Sequence, residues 1–162
     1  MFIKSKKPTT VNIKELKKDD CTIVAVGNAL NISYDLSRKL FQSFKEENND
    51  KIIFNKTGML KLQEMRLMSH VKLVCRSLCK STLHTRPGGV TVNTFSKENP
   101  KGIFLVMCSS HLTLVKDGDI YDTWDCGDLN LVTAYEIDVD SAREKLYALA
   151  KHFKMDNNNH FF

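Results

Sequence analysis

The apolar residues of this chain fall into short blocks whose period changes along its length. Residues 22–30, TIVAVGNAL, are almost wholly apolar and follow Asp19-Asp20-Cys21. Two acidic residues ahead of an apolar run mark a helix start, so a buried helix is expected to begin within two residues of Cys21. Over 33–48, Leu36, Leu40, Phe41 and Phe44 recur at helical spacing behind Ser33 as cap. A third amphipathic helix is expected over 59–70. Residues 71–78, VKLVCRSL, then read as a strand, and 81–89, with Pro87, Gly88 and Gly89, as a loop.

From residue 102 to 127, GIFLVMCSSHLTLVKDGDIYDTWDCG, the period shortens to that of strands. Strands are expected at 103–108, 111–116 and 119–124. Asp117-Gly118 supplies the tight turn, because that pair tolerates the positive φ angles of a two-residue hairpin. A further strand is expected at 131–138, then a last helix over 141–153 capped by Asp140 or Ser141, and a polar, frayed tail at 155–162. There is no internal repeat.

Three residues in this pattern carry candidate chemistry. Across a hairpin centred on 117–118, a residue near 111 faces one near 124, which brings His111 and Asp122 within reach of one another. A carboxylate that orients an imidazole is two thirds of a nucleophilic triad. Asp125 is the alternative carboxylate, and Ser109 or Ser110 are alternative partners for His111. Cys21, in the first turn of a helix, would meet free N–H groups and partial positive charge that favour a thiolate and can bind an oxyanion.

Cysteine at a helix start, histidine at a strand start and Asp122-Thr123-Trp124 on the next strand resemble the papain-like cysteine peptidase superfamily. Its third triad member commonly reads Asn-Ser-Trp. Asp20-Cys21 combined with the hairpin ending Tyr121-Asp122-Thr123-Trp124-Asp125 is similar to the small papain-like proteins of bacteriophages and prophages. Residues 91–102 also look like the short helix and turn that precede the first strand in that group. The resemblance covers roughly residues 19–135. It implies an α+β fold with N-terminal helices packed on a central antiparallel sheet and a C-terminal helix. It implies a triad of Cys21, His111 and Asp122, with Asp20, Thr22 and Trp124 supporting the oxyanion and shielding the histidine. The chain departs from the pattern upstream of the nucleophile. Peptidases of this kind place a Gln there to complete the oxyanion hole, whereas this chain has Glu15, Lys17, Lys18, Asp19 and Asp20.

Composition narrows the setting. The 162 residues suit a single domain, with 1–18 as a basic N-terminal segment. Hydrophobic content of 42% and charged content of 27% are ordinary for a globular protein. No apolar run has the length of a membrane span, and MFIKSKKPTT lacks the form of a secretory signal. The net charge of +5 comes largely from N-terminal lysines without interleaved aromatics, which reads as a solvated face rather than a nucleic-acid surface. The five cysteines lack paired metal-ligand spacing. Cys75 and Cys79, with His70 and His84 nearby, are the one arrangement to test for zinc, and reduced thiols in a cytoplasmic protein are the simpler reading. Cys108 and Cys126 read as small buried hydrophobes. No cofactor is expected. Two functions follow: a cysteine hydrolase acting on a peptide or isopeptide-like bond, or an inactive papain-like scaffold that binds a protein, such as a host factor.

Overall fold

The computed structural model describes residues 1–4, 21–38, 75–76, 78–84 and 89–152. These form an α+β unit around one mixed sheet of six strands: β1 (Phe2–Lys4), β2 (Cys79–His84), β3 (Ile103–Cys108), β4 (Leu112–Lys116), β5 (Asp119–Asp122) and β6 (Leu131–Ile137). Their order across the sheet is β1-β5-β4-β3-β6-β2. Helices α1 (Cys21–Leu30), α2 (Val92–Glu98) and α3 (Val139–His152) complete the named elements. Among the described residues no helix is long and apolar enough to cross a membrane.

The centre of the sheet is covered on both faces, which explains why β3 reads IFLVMC without polar interruption. Leu105 and Met107 point to one face, with Leu112 and Leu114 of β4, Tyr135 and Ile137 of β6, and the apolar side of α1. Phe104, Val106 and Cys108 point to the other, with Val115, Ile120, Ala134 and the Val92 and Phe95 side chains of α2. Phe95 meets Phe104 edge-on, with ring centroids 5.2 Å apart. This is the favoured geometry for an aromatic pair.

The hairpin forms as its turn chemistry dictates. Asp117 and Gly118 both have positive φ, 49° and 81°, as a two-residue primed turn requires. The resulting register pairs Lys116 with Asp119, Val115 with Ile120 and Leu114 with Tyr121. Asp117 also ties the turn to the start of β3: its carboxylate accepts from the Gly102 N–H at 3.1 Å, and its own N–H donates to the Gly102 carbonyl at 2.8 Å.

Several expectations are corrected. The sheet is mixed rather than antiparallel, because β1 runs parallel to β5, with Phe2 beside Ile120 and Lys4 beside Asp122. Three residues are too few to show a period, so only pairing with β5 reveals this strand within the segment read as basic and solvated. The strand expected at 71–78 is displaced: residues 75, 76 and 78 are helical, and the strand is β2. Residues 81–84 were expected in a loop on the strength of Pro87, Gly88 and Gly89, which lie beyond the strand. They pair with β6 instead, where Lys80 Nζ lies 3.1 Å from Glu136 Oε1 and Ser81 Oγ donates to Glu136 Oε2 at 3.0 Å. The last helix is capped by Asp138, two or three residues before the expected Asp140 or Ser141; its Oδ1 accepts from the Ser141 N–H at 2.9 Å. β4 begins at Leu112 and β5 ends at Asp122, one and two residues short of the expected ends.

Other expectations hold. Helix α1 begins at Cys21, Ser33 Oγ accepts from the Leu36 N–H at 3.1 Å as a cap over helical residues 34–38, and α2 lies within 91–102 with Thr91 as its cap. The helix expected over 59–70, the remainder of 33–48 and the tail at 155–162 lie outside the described residues.

One loop is held by unusual means. The first two N–H groups of α2, on Val92 and Asn93, donate at 2.9 Å to the carbonyls of Leu129 and Gly127. This satisfies helix-end donors that have no partner within the helix. Gly127 lies so close to Asn93 that a Cβ placed on it would meet the Asn93 side-chain amide. Gly127→Ala therefore requires the Asn93 amide, held by a 3.4 Å bond to Asp128 Oδ1, to swing aside, and is expected to cost up to about 1 kcal/mol, the low end of overpacking. Asn93→Ala in the same chain should recover most of that loss, a non-additivity that urea denaturation of the two single variants and the double variant would measure.

Candidate active site

At the end of the sheet where β3 turns into β4, four of the residues singled out above come together. His111 immediately precedes β4. The Cys108 N–H donates to its carbonyl at 2.8 Å, closing the turn from β3. Continuing the β4–β5 register places Thr113 opposite Asp122 and His111 opposite Trp124. The imidazole accordingly lies under the indole, with ring centroids 4.8 Å apart and a tilt of 49°. Asp122 is its diagonal neighbour on the same face, within reach across two strands.

His111 Nε2 stands 2.7 Å from Asp122 Oδ2, and both residues are buried. The carboxylate is held at both oxygens. Its Oδ1 accepts from the Thr123 N–H at 2.7 Å. Its Oδ2 accepts, besides His111, the thiol of Cys126 at 3.3 Å. The Thr113 hydroxyl lies beside it, contributing to its ionised form without meeting the geometry of a full hydrogen bond.

Burial works against charge on both members of the pair, and their mutual interactions overcome it. For Asp122 the opposing cost of burial is outweighed by the hydrogen bond from His111, then by Thr113, the His111 charge and the Thr123 amide, so its carboxyl lies below the ordinary range. For His111 burial again opposes protonation, but hydrogen bonding to Asp122, Cys126 and Cys21, with added charge attraction to Cys21, raises its proton affinity far above the ordinary histidine value. Both shifts favour the imidazolium–carboxylate form of the pair.

Cys21 is half-buried at the first position of α1 and interacts with the His111 ring. With Nε2 committed to Asp122, Nδ1 is the ring nitrogen left for the thiol. Thr22, next in the helix, is buried, and its hydroxyl lies 3.9 Å from the Cys21 sulfur. Asp20 lies outside the described residues, as do Glu15, Lys17, Lys18 and Asp19. Asp125, the alternative carboxylate, is engaged elsewhere: its Oδ1 accepts from the Gly127 N–H at 3.1 Å in a local turn. Trp124 covers the imidazole with one side of its ring and remains about half exposed on the other, at 48%.

The other thiols are differently placed. Burial pushes the Cys75 thiol up to about 12, with the neighbouring Cys79 adding to it. Burial also raises Cys108, to about 11, against the opposing pull of the His111 charge. Cys79 donates weakly to the Arg76 carbonyl at 3.4 Å, and His70 lies outside the described residues. Reading Cys126 as a plain hydrophobe missed its role as a donor to Asp122. Its spacing of four from Asp122, across an irregular loop, carries no periodic signal that would reveal the contact.

Among the described residues, the side chains that could converge on one metal ion are His111, Asp122 and Cys126, with donor atoms all within 4.8 Å. The 2.7 Å separation of Nε2 and Oδ2 is shorter than the roughly 3.3 Å between donors around tetrahedral zinc with bonds of about 2.0–2.1 Å. These atoms are spaced as a hydrogen-bonded network rather than as a coordination shell.

No protein-family model matches this chain, and no curated protein or solved structure matches it either. The case for a function therefore stands on the geometry and on the residue pattern.

The electrostatics of the pair yield a prediction. The stabilisation from the raised His111 is complete below about pH 6.5, its ordinary value, and is lost as the pH rises toward the elevated folded value. That from the depressed Asp122 is complete above about pH 4 and is lost as the pH falls. Asp122→Asn leaves burial as the leading influence on the imidazole. In the variant, His111 should titrate at or below about pH 6.5 by NMR, whereas in the wild type it should stay protonated through neutral pH. The loss of stability should be about 3–5 kcal/mol near pH 5–6. It should narrow above about pH 6.5 and again below about pH 4.

Proposed function

We propose that this protein is a papain-like cysteine hydrolase that cleaves a peptide or isopeptide-like amide with Cys21 as nucleophile, His111 as base and acid, and Asp122 as the orienting carboxylate. The observation that carries this reading is the buried His111–Asp122 pair at 2.7 Å, with the half-buried Cys21 at the start of α1 acting on the same imidazole. A carboxylate on Nε2 fixes the tautomer and stabilises the imidazolium that forms during attack.

In the proposed reaction Cys21 Sγ attacks the carbonyl carbon, and its proton resides on His111 Nδ1. The oxyanion is held by the backbone N–H groups of Cys21 and Thr22 in the first turn of α1, at the positive end of the helix. His111 then protonates the departing nitrogen as the carbon–nitrogen bond breaks, leaving a thioester on Cys21. Water, deprotonated by His111, attacks the thioester, releasing the carboxylic acid and returning the thiol. Trp124 keeps bulk water from the His111–Asp122 hydrogen bond on the side it covers. The chemistry needs Cys21 as a free thiol, which suits a reducing compartment such as the cytoplasm, and it needs no cofactor.

The second reading, a protein-binding module on the same scaffold, is favoured by one feature: the residues before Cys21 contain no Gln to complete an oxyanion hole.

A thiol-directed acyl probe, followed by mass spectrometry of the intact chain and its peptides, separates the two. The hydrolase reading expects a single acyl adduct on Cys21, absent in Cys21→Ala. His111→Ala should slow iodoacetamide alkylation of Cys21 by at least about tenfold. Asp122→Ala should affect alkylation less, and should still reduce turnover by about a thousandfold or more. Alkylation spread evenly over the five thiols and indifferent to His111→Ala would remove Cys21 as nucleophile and leave the binding reading.

A further inference from the structure

We propose that Cys126 is a positioning residue of this site: a buried thiol that donates to Asp122 Oδ2 and thereby holds the carboxylate in the orientation that receives His111. The proposal deepens the hydrolase reading and rests on it for its catalytic consequence.

Three observations support it. Cys126 Sγ lies 3.3 Å from Asp122 Oδ2, the same oxygen that His111 Nε2 approaches at 2.7 Å. A carboxylate oxygen has two lone-pair directions; here one meets the imidazole and the other the thiol. With Oδ1 taken by the Thr123 amide, rotation of the carboxylate about its χ2 bond would break three contacts at once. Cys126 is also 1% exposed, so the thiol reaches Oδ2 from within the core and not across bulk solvent.

The backbone bearing Cys126 is fixed for the purpose. The Cys126 carbonyl accepts from the Leu129 N–H at 3.1 Å. The next residue, Gly127, gives its N–H to Asp125 Oδ1 and its carbonyl to the first turn of α2. Asp125, the other carboxylate near the triad, thus serves the loop that aims the thiol.

A small buried hydrophobe and a donor respond oppositely to two substitutions. If Cys126 only fills space, Cys126→Ala is the milder change and Cys126→Ser, which buries a hydroxyl, the harsher. If it donates, Cys126→Ser keeps a donor and Cys126→Ala leaves Oδ2 with an unfilled site. The test follows the His111 Nε2–H proton by NMR in the full chain, together with turnover. The proposal expects the downfield Nε2–H resonance of the wild type to persist in Cys126→Ser. In Cys126→Ala it should exchange with solvent at least about tenfold faster, and turnover should fall by a similar factor and recover in Cys126→Ser. The same resonance and exchange rate in Cys126→Ala as in the wild type, or a harsher effect from Ser than from Ala, would overturn it. If Cys126→Ala fails to fold, Cys126→Ser decides alone: retention of the resonance supports the donor role and its loss overturns it. The proton readout does not depend on turnover, so failure of the hydrolase reading, seen as no acyl adduct on Cys21, is distinguishable from failure of this one.

Discussion

The register of the β4–β5 hairpin is the constraint on which the site depends. Asp117 and Gly118, both at positive φ, permit a two-residue turn and no longer one. That turn sets Val115 against Ile120. It thereby sends His111, Thr113 and Asp122 to the α2 face, while Leu112, Leu114 and Tyr121 go to the α1 face. A slip of one residue in either strand would separate the imidazole from the carboxylate and expose an apolar row in its place. The apolar face resists the slip, so burial of ordinary core residues enforces the placement of two polar ones. Because His111 lies just before its strand rather than within it, its ring stays at the end of the sheet, where the start of α1 is close enough for Cys21 to reach it.

A buried ion pair is costly unless its remaining hydrogen-bonding capacity is met. This pair is well supplied. Asp122 receives an amide, a thiol and the imidazolium, and the Thr113 hydroxyl stands alongside. The polar cluster occupies the rim of the same apolar layer that contains Cys108, Cys126, Val115 and Ile120. The layer lowers the local dielectric, which strengthens the His111–Asp122 attraction and penalises any state in which one member is left alone. Orientation of the imidazole is therefore a property of the folded core, not of a mobile loop.

How much of this was legible in the chain depended on whether a signal was local. The turn at 117–118, the start of α1 at Cys21, the cap at Ser33 and the His111–Asp122 contact each follow from residues a few positions apart or across one tight turn, whereas the short helix after Thr91 was expected only from the resemblance. What escaped was set by distant pairing. β1 exists because β5 offers it an edge more than a hundred residues away, and CKSTLH becomes a strand because β6 lies beside it. The helical residues before β2, Cys75, Arg76 and Leu78, are too few to display a helical period and were read with the apolar residues that precede them. Cys126 was misread for a related reason: a thiol's role as packing or as donor is decided by what it meets, and Asp122 reaches it through a loop whose course no periodicity encodes.

The chain has a single tryptophan, and it lies 4.8 Å from the one imidazole that matters. A protonated imidazole in contact with an indole quenches its fluorescence by accepting charge from the excited state, and a neutral imidazole does so far less. The protein therefore carries its own optical gauge. The light emitted by Trp124 reports the charge on His111 without a label, provided excitation is set where the four tyrosines do not absorb. Since the outer side of the indole is open to solvent, a molecule entering beside it would alter the same emission. Occupancy and protonation of the site can then be followed in one cuvette, before any substrate has been identified.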